Sequence, residues 1–239
     1  ARVFTAAGMT LVEGYGLTET SPVITVNDMR GKKFRIGSVG QVIDGVTVKI
    51  AKDGEILCKG PNVMMGYYKD SKKTAEVMTN DYFHTGDIGE IDDQGFLKIT
   101  DRKKEMFKTS GGKYISPQVI ENIMKQSLFI EQIMVVGDGR KMPTALIQPN
   151  IDYIMQWLSN QGIQVSSLEE ACKEKFLLET IQKEIESYNE KFGSWEQIKK
   201  FELVPEEWSI NAGHLTPTMK LKRKVVKEKY ITLIEKMYY

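Results

Sequence analysis

The stretch 81–113, DYFHTGDIGEIDDQGFLKITDRKKEMFKTSGGK, constrains the fold most, because its apolar periodicity changes partway along it. Up to Asp101 apolar and polar residues alternate with a period of two, the pattern of half-buried strands. Beyond it lies a cationic run, and then the loop Gly111-Gly112-Lys113. One body is therefore expected over 1–101 and a second over 102–239, with Asp101 at the hinge. Thr85-Gly86-Asp87 reads as a tight turn that presents Asp87. Asp92-Asp93-Gln94-Gly95 reads as the turn of a hairpin between strands 88–91 and 96–100.

Ahead of this stretch, 1–36 predicts a short helix or loop, and from Gly37 to Ile99 the period is again two. Val46, Val48 and Ile50 alternate with Thr47 and Lys49, Asp53-Gly54 is a hairpin signal, and the strand resumes at Glu55. A short helix is expected over 70–79. Closely spaced short strands predict a small antiparallel, barrel-like subdomain at about 37–100.

Behind it, helix and strand alternate. Ser116 and Pro117 suit an N-cap and first helical position, with Val119, Ile120, Ile123 and Met124 on one apolar face. Strands are expected at 130–136 and 144–148. Ser167 with Glu170 predicts a capping box, ahead of a helix carrying Leu178, Ile181, Ile185 and Tyr188 and closed by Gly193. A short strand at 201–204 precedes a basic helix over 222–238 that buries Val226, Tyr230, Leu233 and Met237. The fold class is α+β: the barrel-like subdomain, then a compact C-terminal α+β domain.

With 33 basic and 32 acidic residues, the chain has no global field to recruit nucleic acid or an anionic surface. The basic run near Lys220 is interrupted by Glu228 and Glu235 and lacks interleaved aromatics, against a nucleic-acid patch. Two distant cysteines, Cys58 and Cys172, suggest neither a disulfide framework nor a zinc site. A cytoplasmic setting is expected, with peripheral membrane contact left open.

Three places carry candidate chemistry. In Gly14-Tyr15-Gly16-Leu17-Thr18-Glu19-Thr20-Ser21-Pro22, glycines let the backbone approach a ligand, Gly16 among them. Tyr15 offers a stacking face, Thr18 a hydroxyl for phosphate or carboxylate, and Glu19 a hard oxygen for Mg²⁺. A solvated surface turn would have the same composition. Asp87 could accept two hydrogen bonds from a ribose diol, or simply cap its own turn. Lys220 sits just ahead of the last helix, where a lone lysine is ordinarily a solvated charge. His84 receives no role.

Taken together, YGLTETSP (15–22), HTGDIG (84–89), TDRKKEMFKTSGGKYISPQVIE (100–121) and LTPTMKLKR (215–223) resemble the AMP-forming acyl-CoA synthetases. The likeness runs from Gly14 onward and is nearest to long-chain fatty acyl-CoA synthetases. The setting of Lys220 after Pro217-Thr218-Met219 and the helical segment around 151–192 both point there.

The resemblance implies that Tyr15 stacks on adenine, Thr18 contacts phosphate or the acyl carboxylate, and Glu19 holds Mg²⁺. It implies that Asp87 and Arg102 bind the ribose hydroxyls, Asp101 is the hinge, Gly111 and Gly112 admit the pantetheine arm of coenzyme A, and Lys220 is the adenylation lysine. The implied substrates are ATP, released as AMP, a long-chain fatty acid and coenzyme A. The family's upstream phosphate loop has no counterpart in this sequence. The chain is therefore expected to be the C-terminal portion of a longer enzyme, lacking its N-terminal part and inactive alone. Transfer to a carrier protein and a non-catalytic interaction module are the alternatives.

Overall fold

The computed structural model describes residues 2–9, 11–29 and 34–239; the remainder of the segment expected as helix or loop over 1–36 lies outside the described residues. The chain forms two compact units, 1–104 and 105–239.

The first unit begins with α1 (Arg2–Ala6), β1 (Gly14–Tyr15), a 3₁₀ turn (Thr18–Thr20), β2 (Thr25–Val26) and β3 (Gln41–Val42). These three strands form a small antiparallel sheet. Then come β4 (Thr47–Ile50), β5 (Glu55–Lys59), α2 (Ser71–Glu76), β6 (Met78–Thr79), β7 (Tyr82–Ile91) and β8 (Leu97–Arg102). They build an antiparallel sheet in the order β4-β5-β7-β6, with β8 also on β7. Leu97 ties the two sheets, donating to Gly40 O and accepting from Val39 N. Ile56, Cys58, Phe83 and Leu97 bury the inner face.

The helix expected over 70–79 stops at Glu76. Asn80 and Asp81 both take positive φ, the backbone of a tight two-residue hairpin, so Met78 and Thr79 fold back onto Phe83 and Tyr82.

A larger difference lies at Thr85-Gly86-Asp87, which is a bulge inside the ten-residue β7 rather than a turn. Leu57 pairs with His84 and Glu55 with Ile88, so four steps along β7 face two along β5. Gly86, at φ +72°, is in the left-handed region that such a bulge uses.

The second unit contains β9 (Phe107–Lys108), β10 (Tyr114–Ile115), α3 (Pro117–Met124), β11 (Ile130–Val136), β12 (Thr144–Pro149), α4 (Ile151–Asn160), α5 (Leu168–Ala171), α6 (Lys175–Asn189), β13 (Phe201–Leu203), α7 (Arg223–Lys229) and α8 (Ile231–Lys236). β9 and β10 pair as a hairpin around the glycine loop. β11 and β12 are antiparallel and β13 is parallel to β12. Strand alternation sorts the core into two layers. Ile133, Val135, Ala145 and Ile147 face α3, α4 and α6, while Met134, Val136 and Leu146 face Trp208, Val226, Ile234 and Met237. Each fully buried aliphatic side chain contributes about 2 kcal/mol.

Several helix boundaries differ from the sequence reading. Ser116 precedes α3, but its hydroxyl makes no capping bond. Ser167 accepts from the Glu170 amide, yet Glu170 reaches back to Ser166, so the expected box is offset by one residue. The helix expected after it breaks before α6, which presents Leu177, Ile181 and Ile185 to the core. α6 ends at Asn189, well before Gly193, because the buried Asn189 amide exchanges two hydrogen bonds with the Ile198 backbone. The 222–238 helix splits at Tyr230, whose hydroxyl donates to Glu206 at 2.6 Å.

Candidate active site

Tyr15, Asp87 and Arg102 come together in the first unit. Asp87, 5% exposed, accepts from the Tyr15 hydroxyl at 2.6 Å and faces Arg102 Nε at 3.2 Å. The β7–β8 register places Asp87 opposite Arg102, so one ladder rung sets both ends of the pair. Burial and the Asp87 carboxylate push the Tyr15 phenol far above its ordinary range, which keeps it a donor. The half-buried Tyr15 ring is thereby held in place.

A carboxylate offers about four lone-pair sites, and these two contacts leave acceptor capacity on the edge that Asp87 shares with Arg102. A diol bridging the exposed guanidinium and that edge fits the donor set.

Thr18 and Glu19 lie on the 3₁₀ turn. Glu19 Oε1 accepts from the Tyr67 hydroxyl at 3.0 Å, and the Glu19 carbonyl accepts from Met64 N. Among the described residues no three His, Cys, Asp or Glu side chains gather as a metal cage. One fixed carboxylate beside a hydroxyl suits Mg²⁺, which takes one or two protein carboxylates and completes its shell with water and phosphate.

Gly16 is required by the chain itself, because a Cβ there would stand 1.5 Å from the Pro22 carbonyl oxygen. The approach it permits in this structure is that of residues 22 and 23.

The bulge is completed by residues that sequence reasoning missed. Thr85 Oγ1 donates to Ile56 O at 2.7 Å and accepts from Asp87 N. Glu55, 3% exposed, accepts from Gly86 N at 3.0 Å, Lys103 Nζ at 2.7 Å and pairs with His84 Nδ1 at 2.9 Å. Lys103 also pairs with Asp53 at 2.7 Å, and its amide donates to Gly86 O. Burial raises the Glu55 pKa, but Lys103, His84 and the Gly86 amide together bring it below the ordinary carboxylate range. Asp101 is buried on β8, with Oδ1 accepting from Arg102 N.

In the second unit Gly111 and Gly112 form the exposed tip of the β9–β10 hairpin; Gly112 has φ +79°, and no atom lies closer than 3.7 Å to a Cβ built at either. Lys220 stands on another exposed loop. A Leu215–Leu221 bridge closes that loop, Thr216 N donates to Lys220 O, and Lys220 N donates to Thr216 Oγ1. Behind it, Arg223 donates to the buried Glu121 at 2.7 Å and to Val135 O at 2.6 Å, and Glu121 also accepts from Val135 N.

Two stretches of the chain match known family models. The family model "AMP-binding enzyme" matches residues 1–68, and "AMP-binding enzyme C-terminal domain" matches 105–239. The chain belongs to the AMP-binding enzyme family.

Among its relatives, a long-chain-fatty-acid–CoA ligase of Mycobacterium bovis is 38% identical over 236 residues, 98% of this chain and 39% of that protein. Long-chain-fatty-acid–CoA ligase 1 of Homo sapiens is 36% identical over 98% of this chain and 35% of its own length. The chain thus spans 35–41% of the length of such curated relatives. The fold resembles the adenylation domain of a Mycobacterium chelonae carboxylate reductase, with TM-score 0.75 and 19% identity over 99% of this chain and 36% of that one. It also resembles an O-succinylbenzoate coenzyme A synthetase of Bacillus subtilis solved with AMP, with TM-score 0.67 and 22% identity over 95% of this chain and 42% of that one. Among the described residues no helix is long and apolar enough to cross a membrane.

Proposed function

We propose that this chain supplies the ribose-binding edge, the hinge and the C-terminal domain of an AMP-forming long-chain fatty acid–CoA ligase. The observation that carries this reading is the fixed Tyr15–Asp87–Arg102 set, on a chain 38% identical to such a ligase. Asp87 accepts from the ribose hydroxyls of ATP, and Arg102 donates to them. Tyr15 presents its ring to the adenine, and Thr18 donates to phosphate or to the fatty carboxylate.

Attack of the carboxylate on the α-phosphorus, which expels pyrophosphate and leaves the acyl-adenylate, needs no general base, since the nucleophile is already an anion; it needs positioning and charge stabilisation. Lys220 supplies an ammonium to the phosphorus oxygens. Mg²⁺ held by Glu19 would neutralise further phosphate charge. Attack of the coenzyme A thiol on the acyl carbonyl then expels AMP, with the pantetheine arm passing the side-chain-free Gly111–Gly112 backbone and Asp101 acting as the hinge between the two half-reactions.

The test is AMP formation from ATP, Mg²⁺, coenzyme A and a long-chain fatty acid. The 239-residue chain is compared with a version extended upstream through the phosphate loop that the resemblance implies. Turnover by the extended chain alone is expected. Turnover by neither refutes the ligase reading, and turnover by the short chain refutes the need for an upstream loop.

A further inference from the structure

A bulge in the middle of a sheet leaves backbone groups without ladder partners, and a buried orphan N–H costs about 1–3 kcal/mol. At Gly86 that N–H points to a carboxylate, Glu55 Oε1, at 3.0 Å. The same side chain binds Lys103, the residue after Arg102, and the Lys103 amide in turn donates to Gly86 O. Glu55 therefore grips β7 one residue before Asp87 and the chain one residue after Arg102. Nothing in the nucleotide reading requires a carboxylate at this position, and the hydrogen bonds and ion pairs of Glu55 go to Gly86, Lys103 and His84.

We propose that Glu55 is a positioning residue for ribose recognition, fixing the bulge and the end of β8 so that Asp87 and Arg102 address one diol. This rests on the ribose reading of Asp87 and Arg102. Three features favour it over a general packing role. Glu55 is ionised and buried beside a partly exposed lysine, an arrangement that a hydrophobic residue of similar volume would satisfy at less desolvation cost. Two of its three partners, Gly86 N and Lys103 Nζ, flank the Asp87–Arg102 pair, and the third, His84 Nδ1, lies on β7 just ahead of the bulge. Lys103 is held twice, by Asp53 and by Glu55, so both carboxylates of the β4–β5 turn region converge on the chain just beyond the pair.

The experiment uses the full-length protein that carries this chain, with ATP and 2′,3′-dideoxy-ATP as probes. The wild type should discriminate between them through the two hydroxyls. Glu55→Gln keeps the shape and one acceptor but loses the ion pair with Lys103, and Lys103→Met removes the other partner. Each should raise the Kd for ATP about tenfold, the loss of one charge-assisted contact, and leave the Kd for the dideoxy nucleotide within about twofold of wild type. Discrimination then collapses, while the thermal midpoint shows both variants folded. Equal weakening of both nucleotides, or unchanged discrimination, overturns the positioning role. A wild type that binds both nucleotides equally well overturns the ribose reading itself, and the proposal with it.

Discussion

Replacing Arg223 by methionine would test whether the chain behind the Lys220 loop is anchored electrostatically. Glu121 and Arg223 have side chains 5% and 21% exposed, and their 2.7 Å contact is backed by bonds from Val135 N to Glu121 and from Arg223 to Val135 O. Losing one partner of a buried pair leaves an uncompensated charge, at a cost of about 3 kcal/mol. Burial already pushes the Glu121 carboxyl up, against the pull of Arg223 and the Val135 amide. A carboxyl with a raised folded pKa binds more protons folded than unfolded, so its ionisation removes stability as pH rises through that interval. Without Arg223 the raise is larger, so the cost of Arg223→Met should be greater near about pH 8 than near about pH 5. Neutralising both partners, in Glu121→Gln/Arg223→Met, should bring the cost down to about 1 kcal/mol. Tryptophan fluorescence during urea unfolding reads this unit alone, because all three tryptophans, Trp157, Trp195 and Trp208, lie beyond Lys104. A single-variant cost under about 1 kcal/mol, equal costs at both pH values, or strictly additive losses would refute the buried-pair account.

Lys220→Ala in the full-length protein should abolish acyl-adenylate formation, by about a hundredfold or more, while supplied acyl-AMP still reacts with coenzyme A; loss of both half-reactions gives Lys220 a different role. Gly40→Ala should destabilise the first unit by about 3 kcal/mol, because Gly40 has φ +91° and a Cβ would stand 2.0 Å from the Val26 carbonyl carbon. Faster protease nicking within residues 11–104 would show it, and wild-type protection would contradict it. Tyr15→Phe removes the donor to buried Asp87 and should cost about 1–2 kcal/mol. The phenol pKa is raised in the fold, so that contribution is fully present below the unfolded value near about 10 and is lost only as pH climbs through the folded one. The cost, measured by thermal unfolding, should therefore hold from about pH 7 to about pH 9 and shrink above about pH 10, where only the unfolded phenol ionises; a cost unchanged up to about pH 11 would mean that the fold does not raise the Tyr15 pKa.

The period-two alternation located the first unit's sheet, and its Asp53-Gly54 hairpin is where the sequence placed it, because turn chemistry and burial agree there. Thr85-Gly86-Asp87 was legible as a special backbone position but not as a bulge. Glycine marks a positive φ equally well in either case, and only the pairing of Leu57 with His84 and Glu55 with Ile88 distinguishes them. The helix boundaries failed for a related reason. Asn189 and Tyr230 end or break helices through bonds to Ile198 and Glu206, partners that local periodicity does not contain. Of the candidate site residues, the Asp87–Arg102 contact follows from strand register, whereas the Tyr15–Asp87 bond spans 72 positions and has no local signal.

The residues that stayed hidden share one chemistry. Glu55 and Glu121 are both buried carboxylates, and each binds a backbone N–H and a cation, Gly86 N with Lys103 and Val135 N with Arg223, Glu55 pairing with His84 as well. A backbone amide alone would not compensate a buried carboxylate, and a cation alone would not fix the strand; the two together do both. In each unit the device sits within three residues of a candidate functional side chain, Arg102 and Asp87 in one and Lys220 in the other. Functional side chains on exposed or bulged backbone cannot be held by hydrophobic packing, which needs surface to bury. A directional, charge-assisted anchor just behind them supplies the missing rigidity. On that reasoning, substitutions at Glu55 or Glu121 should disturb the neighbouring functional residue more than they disturb the core, and Glu→Gln, which preserves volume, isolates the electrostatic share.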